Sequence, residues 1–120
     1  MKYMLMLIGS EDSWTDLTES QREAVYEQFG KLEEDLKAAG KVSEGYELDV
    51  SAKAKTLRYA ADGNFVTDGP YAEAEEHIGG YFVLDCADEN EALEWARKIP
   101  QFPGEFTGGV EVRPILEYGG

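Results

Sequence analysis

A chain of 120 residues with 25 acidic and 11 basic side chains carries a formal net charge of −14. A surface of that sign repels phosphate backbones and anionic membranes at long range, so neither direct nucleic-acid binding nor membrane association is expected. The length suits one domain, 1–120, folded around a single core without metal or disulfide staples.

The lone Cys86 sits in an apolar run, where a small buried hydrophobe in a reducing compartment is the natural reading. The apolar opening Met1–Ile8 gives way at once to Glu11 and Asp12, too short for a signal peptide. No apolar segment approaches the roughly 20 residues that span a bilayer, and a cytoplasmic protein is expected. The acidity reads as solvated surface, since no loop spaces its carboxylates as a calcium site does.

In chain order, residues 2 to 8 place Tyr3, Leu5 and Leu7 on one face of a strand and Met4, Met6 and Ile8 on the other. A strand apolar on both faces belongs in the middle of a sheet. A polar loop from Ser10 to Ser20 carries Trp14 and Leu17, and Thr18 with Gln21 forms a capping box that opens a helix. In that helix Val25, Phe29, Leu32, Leu36 and Ala39 fall on one stripe, and Gly40 stops it. Val42 to Val50 reads as a strand, and Thr56 to Tyr59 with Asn64 to Thr67 as a hairpin around Asp62-Gly63. Gly69 at N-cap, Pro70 at N1 and the acids at 73, 75 and 76 favour one short helix. Ile78 to Cys86 is a second strand apolar on both faces. Asp88 and Glu91 form another capping box, for a helix carrying Ala92, Leu93, Trp95, Ala96 and Ile99 that Pro100 ends. The loop Gln101 to Gly109 leads to a last strand, Val110 to Leu116.

This order predicts an α+β fold: a ferredoxin-like βαββαβ antiparallel sheet with an extra hairpin, both helices on one face. The two doubly apolar strands take its two central positions. Its other face is left apolar and uncovered, which predicts a homodimer with sheets facing each other.

The chemistry is expected around Thr67–Asp85. Asp68, fixed by a rigid Gly69-Pro70 turn, is pre-positioned for acid–base work, with the Tyr71 hydroxyl nearby. His77 is the only histidine, and a helical register would set it against Glu73. Glu111 and Arg113 alternate with Val110 and Val112, so they point to the uncovered face if the valines face the helices. Arg113 pairs with Glu111 or Asp68, or holds the carboxylate of an organic acid. One histidine and one distant cysteine make no zinc site, and no dinucleotide fingerprint, phosphate loop or nucleophile elbow is present, so no cofactor is expected.

Five blocks, Lys2–Leu5, Thr67–Glu73, Ile78–Phe82, Glu91–Ala96 and Val110–Ile115, resemble in order and spacing the DGPF-domain branch of the YCII-related family. Tyr71 stands where the name-giving motif has Phe, and His77 where relatives often carry Gln. The matched blocks move the weight of the expected site toward Asp68–Tyr71 and Gly79-Gly80, and away from His77. The resemblance implies a ferredoxin-like fold, dimeric and of the dimeric α/β-barrel type. The branch is largely uncharacterised and its genes often lie near sigma factors, while the wider group is suspected of enzymatic activity through a His-Asp pair in a cleft.

Two functions follow as expectations. The first is a small organic ligand, anionic or aromatic, in a dimer-proximal cleft lined by Tyr3, Asp68, Tyr71, Glu111 and Arg113, with cofactor-independent acid–base chemistry. The second is an acidic regulatory module that docks on a basic partner protein such as a sigma factor.

Overall fold

The two strands apolar on both faces pair with each other, and the remaining elements are placed around that pair. The computed structural model describes residues 1–104 and 108–117. Strand β1 (Lys2–Gly9) runs antiparallel to β5 (His77–Asp85), with Tyr3 opposite Leu84 and Leu5 opposite Phe82. Strand β6 (Gly108–Pro114) flanks β1, and β2 (Val42–Glu47) flanks β5, so the sheet order is β2-β5-β1-β6. This is the ferredoxin-like arrangement. The hairpin, β3 (Lys55–Ala60) and β4 (Gly63–Asp68), is inserted between β2 and β5 as a separate two-stranded sheet.

Directly opposed residues share a face, which sorts the side chains. Tyr3, Leu5, Phe82 and Leu84 lie in one core with Leu32 and Leu36 of helix α2 (Glu19–Ala38) and Ala92 of helix α3 (Glu89–Ala96). Both helices therefore cover the same face. Burying such a Leu or Phe side chain stabilises the fold by roughly 1.5–3 kcal/mol, and Leu5, Leu36 and Leu84 are each only 1% exposed. Cys86 joins this cluster, 2% exposed, as the small hydrophobe its context suggests. The opposite face carries Met4, Met6, Tyr81 and Val83, with Glu111 and Arg113 from β6.

Helix α2 starts with a complete capping box: the Gln21 N–H donates to Thr18 Oγ1 (3.1 Å) and the Thr18 N–H to Gln21 Oε1 (2.9 Å). Helix α3 has half of one. The Glu91 N–H donates to Asp88 Oδ1, but the Glu91 carboxylate accepts from Ala87 N–H and also pairs with Lys41 at 2.9 Å, which ties α3 to the start of β2. Glu91 is thereby held below the usual carboxylate range, chiefly by the Lys41 ammonium.

Four expectations shift. A short helix, α1 (Asp12–Thr15), lies in the stretch read as a loop. Strand β2 ends at Glu47 rather than Val50, because the Asp49 carboxylate takes the Val50 N–H at 2.7 Å and turns the chain into a 3-10 turn over Ser51–Lys53. The hairpin turns on Ala61-Asp62, with Gly63 next in line at φ +130°, a conformation open to glycine at little cost. The expected helix after Pro70 does not form, and residues 69–76 are bends and irregular chain. A stretch that short cannot meet the cost of helix nucleation without packing, and the Gly69 N–H is committed to Ala54 O at 2.8 Å. Of the expected loop Gln101 to Gly109, residues 105–107 lie outside the described residues.

The hairpin stands off the main sheet. The radius of gyration is 16.4 Å, against about 13.6 Å for a compact chain of this length. Leu57, Tyr59 and Val66 are 52%, 82% and 63% exposed.

The double glycine divides into two roles. A Cβ on Gly80 would lie 2.9 Å from the Tyr46 carbonyl oxygen of the neighbouring strand, whereas one on Gly79 meets only Leu7 O at 3.9 Å. Gly80→Ala is expected to destabilise by roughly 1–3 kcal/mol and Gly79→Ala by much less, read as shifts in the urea unfolding midpoint; equal midpoints would contradict this close approach.

Candidate functional site

One slip in the central pairing creates the candidate site. Leu7 pairs with Gly80, but Ile8 pairs with Ile78 and Gly9 with His77, so Gly79 is an extra residue on β5. The side-chain alternation is reset there. Ile78 turns to the face of Met4 and Met6, and His77 to the face of the helices. Without the bulge His77 would point to the other side of the sheet.

On the helix side a cleft of about 1490 Å³ opens between α2 and α3. Leu7, Phe82 and Val110 of the sheet form its floor, Phe29 of α2 and Ala96 of α3 its flanks, and Pro70, Ala72 and Ala74 its rim. At one end Trp14 packs edge-on to Tyr26, with ring centroids 5.1 Å apart, and lies 5.2 Å from the Phe102 ring. His77 Nε2 lies 3.6 Å from Glu11 Oε1, with side chains 20% and 27% exposed. The Glu11 carboxylate also accepts the Ser51 N–H through both oxygens at 3.1 Å, which fixes its orientation. Tyr26 Oη donates to Glu47 at 2.9 Å, and burial together with that carboxylate pushes the phenol's pKa up, so it stays a protonated donor. Cys86 is not among the lining residues, and burial pushes its thiol up. Among the described residues no cluster of His, Cys, Asp and Glu is arranged to hold a metal ion.

Of the residues singled out from sequence, His77 is in this cleft, facing Glu11 on α1's N-terminal side rather than Glu73. The others lie elsewhere in the chain. Tyr3 is in the core, 5% exposed, with its hydroxyl 3.5 Å from Met1 Sδ. Asp68 ends β4 on the surface and pairs with Lys55 across the hairpin. Tyr71 is 73% exposed, its ring 4.8 Å below the Arg58 guanidinium. Glu111 and Arg113 pair with each other on the face away from the helices. Within one chain Tyr3, Asp68, Tyr71, Glu111 and Arg113 therefore do not line a common cleft.

The match to known proteins covers the same span as the fold. A family model for the YCII-related domain matches residues 1–118. The chain belongs to the YCII-related family. An uncharacterised protein of Rhizobium meliloti (strain 1021) is 31% identical over 118 residues, covering 98% of this chain and 94% of that one. No helix among the described residues of this YCII-related chain is long and apolar enough to cross a membrane.

Sequence reasoning passed over Glu11, Trp14, Tyr26, Glu47 and Phe102. Trp14 carried a usable signal, a large aromatic in a polar loop just after a central strand; the carboxylates carried none in so acidic a chain. Glu11→Ala removes the acceptor of the Ser51 amide and is expected to cost about 1 kcal/mol and to speed hydrogen exchange at Ser51. Glu11→Gln, which keeps an acceptor, should retain most of the protection; equal exchange in Glu11→Ala and wild type would contradict the tether.

Proposed function

We propose that this YCII-related protein binds a small organic molecule in the cleft between α2 and α3, where Glu11 and His77 handle a proton. The observation that carries this reading is the placement of the only histidine beside an oriented carboxylate in an aromatic-walled cleft. Neutral imidazole is the side chain suited to take a proton near neutral pH. With Nε2 turned to Glu11, Nδ1 is the atom left to accept one from a C–H or O–H of the ligand. The Glu11 carboxylate then stabilises the imidazolium, and the proton returns to another atom of the same ligand. Such a cycle needs no oxidant or group donor, in keeping with an isomerisation.

The same reading takes the active form to be a homodimer. The helix-free face presents the partly buried Met4, Met6 and Tyr81, and Tyr46 beside them is 63% exposed. Its ring lies 6.0 Å from that of Tyr81. The hairpin adds Leu57, Tyr59 and Val66, and a bare two-stranded hairpin is marginal in water. A second copy related by a two-fold axis covers both surfaces at once.

Native mass spectrometry of freshly purified protein, followed by a ligand-observed NMR screen of small organic molecules, tests both parts. Expected are a dimer mass and a retained or screened molecule whose binding weakens at least about tenfold in His77→Ala. A monomer at micromolar concentration removes the dimer; no molecule bound in either experiment, or unchanged binding in His77→Ala, removes the cleft reading.

A further inference from the structure

We propose that the cleft selects an organic cation, an amine or quaternary ammonium on an aromatic or aliphatic body. This rests on the cleft being a binding site and adds the class of molecule it takes. The argument is a balance of the charges along its walls. Glu11, Glu33, Glu47, Asp49 and Glu76 line the cleft together with His77, which faces Glu11, and against them stand the cations Lys53 and Arg97. Both of these cations are already matched. Lys53 Nζ lies 3.0 Å from Asp49 Oδ2, and the Arg97 guanidinium is paired with Glu94. An incoming carboxylate or phosphate thus meets no uncommitted cation among the described lining residues, and it would also work against a net charge of −14.

The aromatic end of the cleft supplies what a cation needs. The Trp14 ring lies 5.1 Å from that of Tyr26 and 5.2 Å from that of Phe102. Aromatic faces attract ammonium groups through the ring quadrupole, Trp most strongly, by about 0.5–2 kcal/mol each. The Glu47 carboxylate, accepting from Tyr26 Oη at 2.9 Å, sets a full negative charge at the margin of that group of rings. A soft cation held by rings and balanced by a nearby carboxylate sheds little hydration compared with a carboxylate brought to the same place. The apolar floor of Leu7, Phe82 and Val110 then accommodates the body of the molecule.

The test uses three probes of similar size and different charge, benzylammonium, benzyl alcohol and benzoate, titrated into the full chain while the Trp14 indole N–H is followed by NMR. The expected order is ammonium about tenfold tighter than alcohol, with benzoate weakest. Glu47→Gln should narrow the ammonium-to-alcohol ratio to within about twofold, with its unfolding midpoint showing that the fold is kept. Benzoate binding as tightly as the ammonium overturns the cation class while leaving a ligand in the cleft. No Trp14 shift with any probe overturns the class as well, and the retained-molecule and screening measurements decide the cleft reading separately.

Discussion

The antiparallel pairing of β1 with β5 is the constraint on which the other elements depend, and one residue of extra length within it, at Gly79, decides which side of the sheet His77 faces. Both strands are apolar on both sides, so they must be central. Their helix-side residues organise α2 and α3, and their other residues make the second apolar face. Because side chains alternate along a strand, a single bulge is enough to exchange the two faces beyond it. The bulge sits at the open end of the sheet, where β1 runs out into α1. Glu11 and Trp14 come from that connection, so His77 arrives beside them rather than on the other face next to Ile8.

The sheet thus presents two surfaces with different demands. On the helix side, α2 and α3 leave a cleft between them instead of closing on each other, and its aromatic end is held by the Trp14, Tyr26 and Phe102 contacts. On the other side no helix of the described residues lies, and apolar residues stand beside the self-paired Glu111 and Arg113. The hairpin carries a further exposed apolar group, Leu57, Tyr59 and Val66.

Much of the fold was legible because it is written in short-range signals. Alternation marked β1 and β5 as central, the Thr18–Gln21 box marked the start of α2, and the valine and charge alternation of β6 placed Arg113 on the helix-free face. The misplaced details are competitions between local signals: Asp49 ending β2 early, and the acids after Pro70 suggesting a helix that had no core to pack on. The site was far less legible. Glu11 and His77 meet only through the β1–β5 register, and a bulge leaves no mark in a sequence beyond a glycine that has several other readings. The prominent Asp68–Tyr71 turn drew attention because it is rigid, yet it ends a hairpin, and the chain after it forms the rim of the cleft.

The most direct measurement is the β1–β5 register in solution, read from cross-strand backbone NOEs, together with NOEs from the His77 ring. The expected result is Ile8 opposite Ile78 and Gly9 opposite His77, with the His77 ring showing contacts to the Glu11 side chain. Ile8 opposite Gly79, with the His77 ring contacting Ile8 on the other face, would contradict the bulge and remove His77 from the cleft.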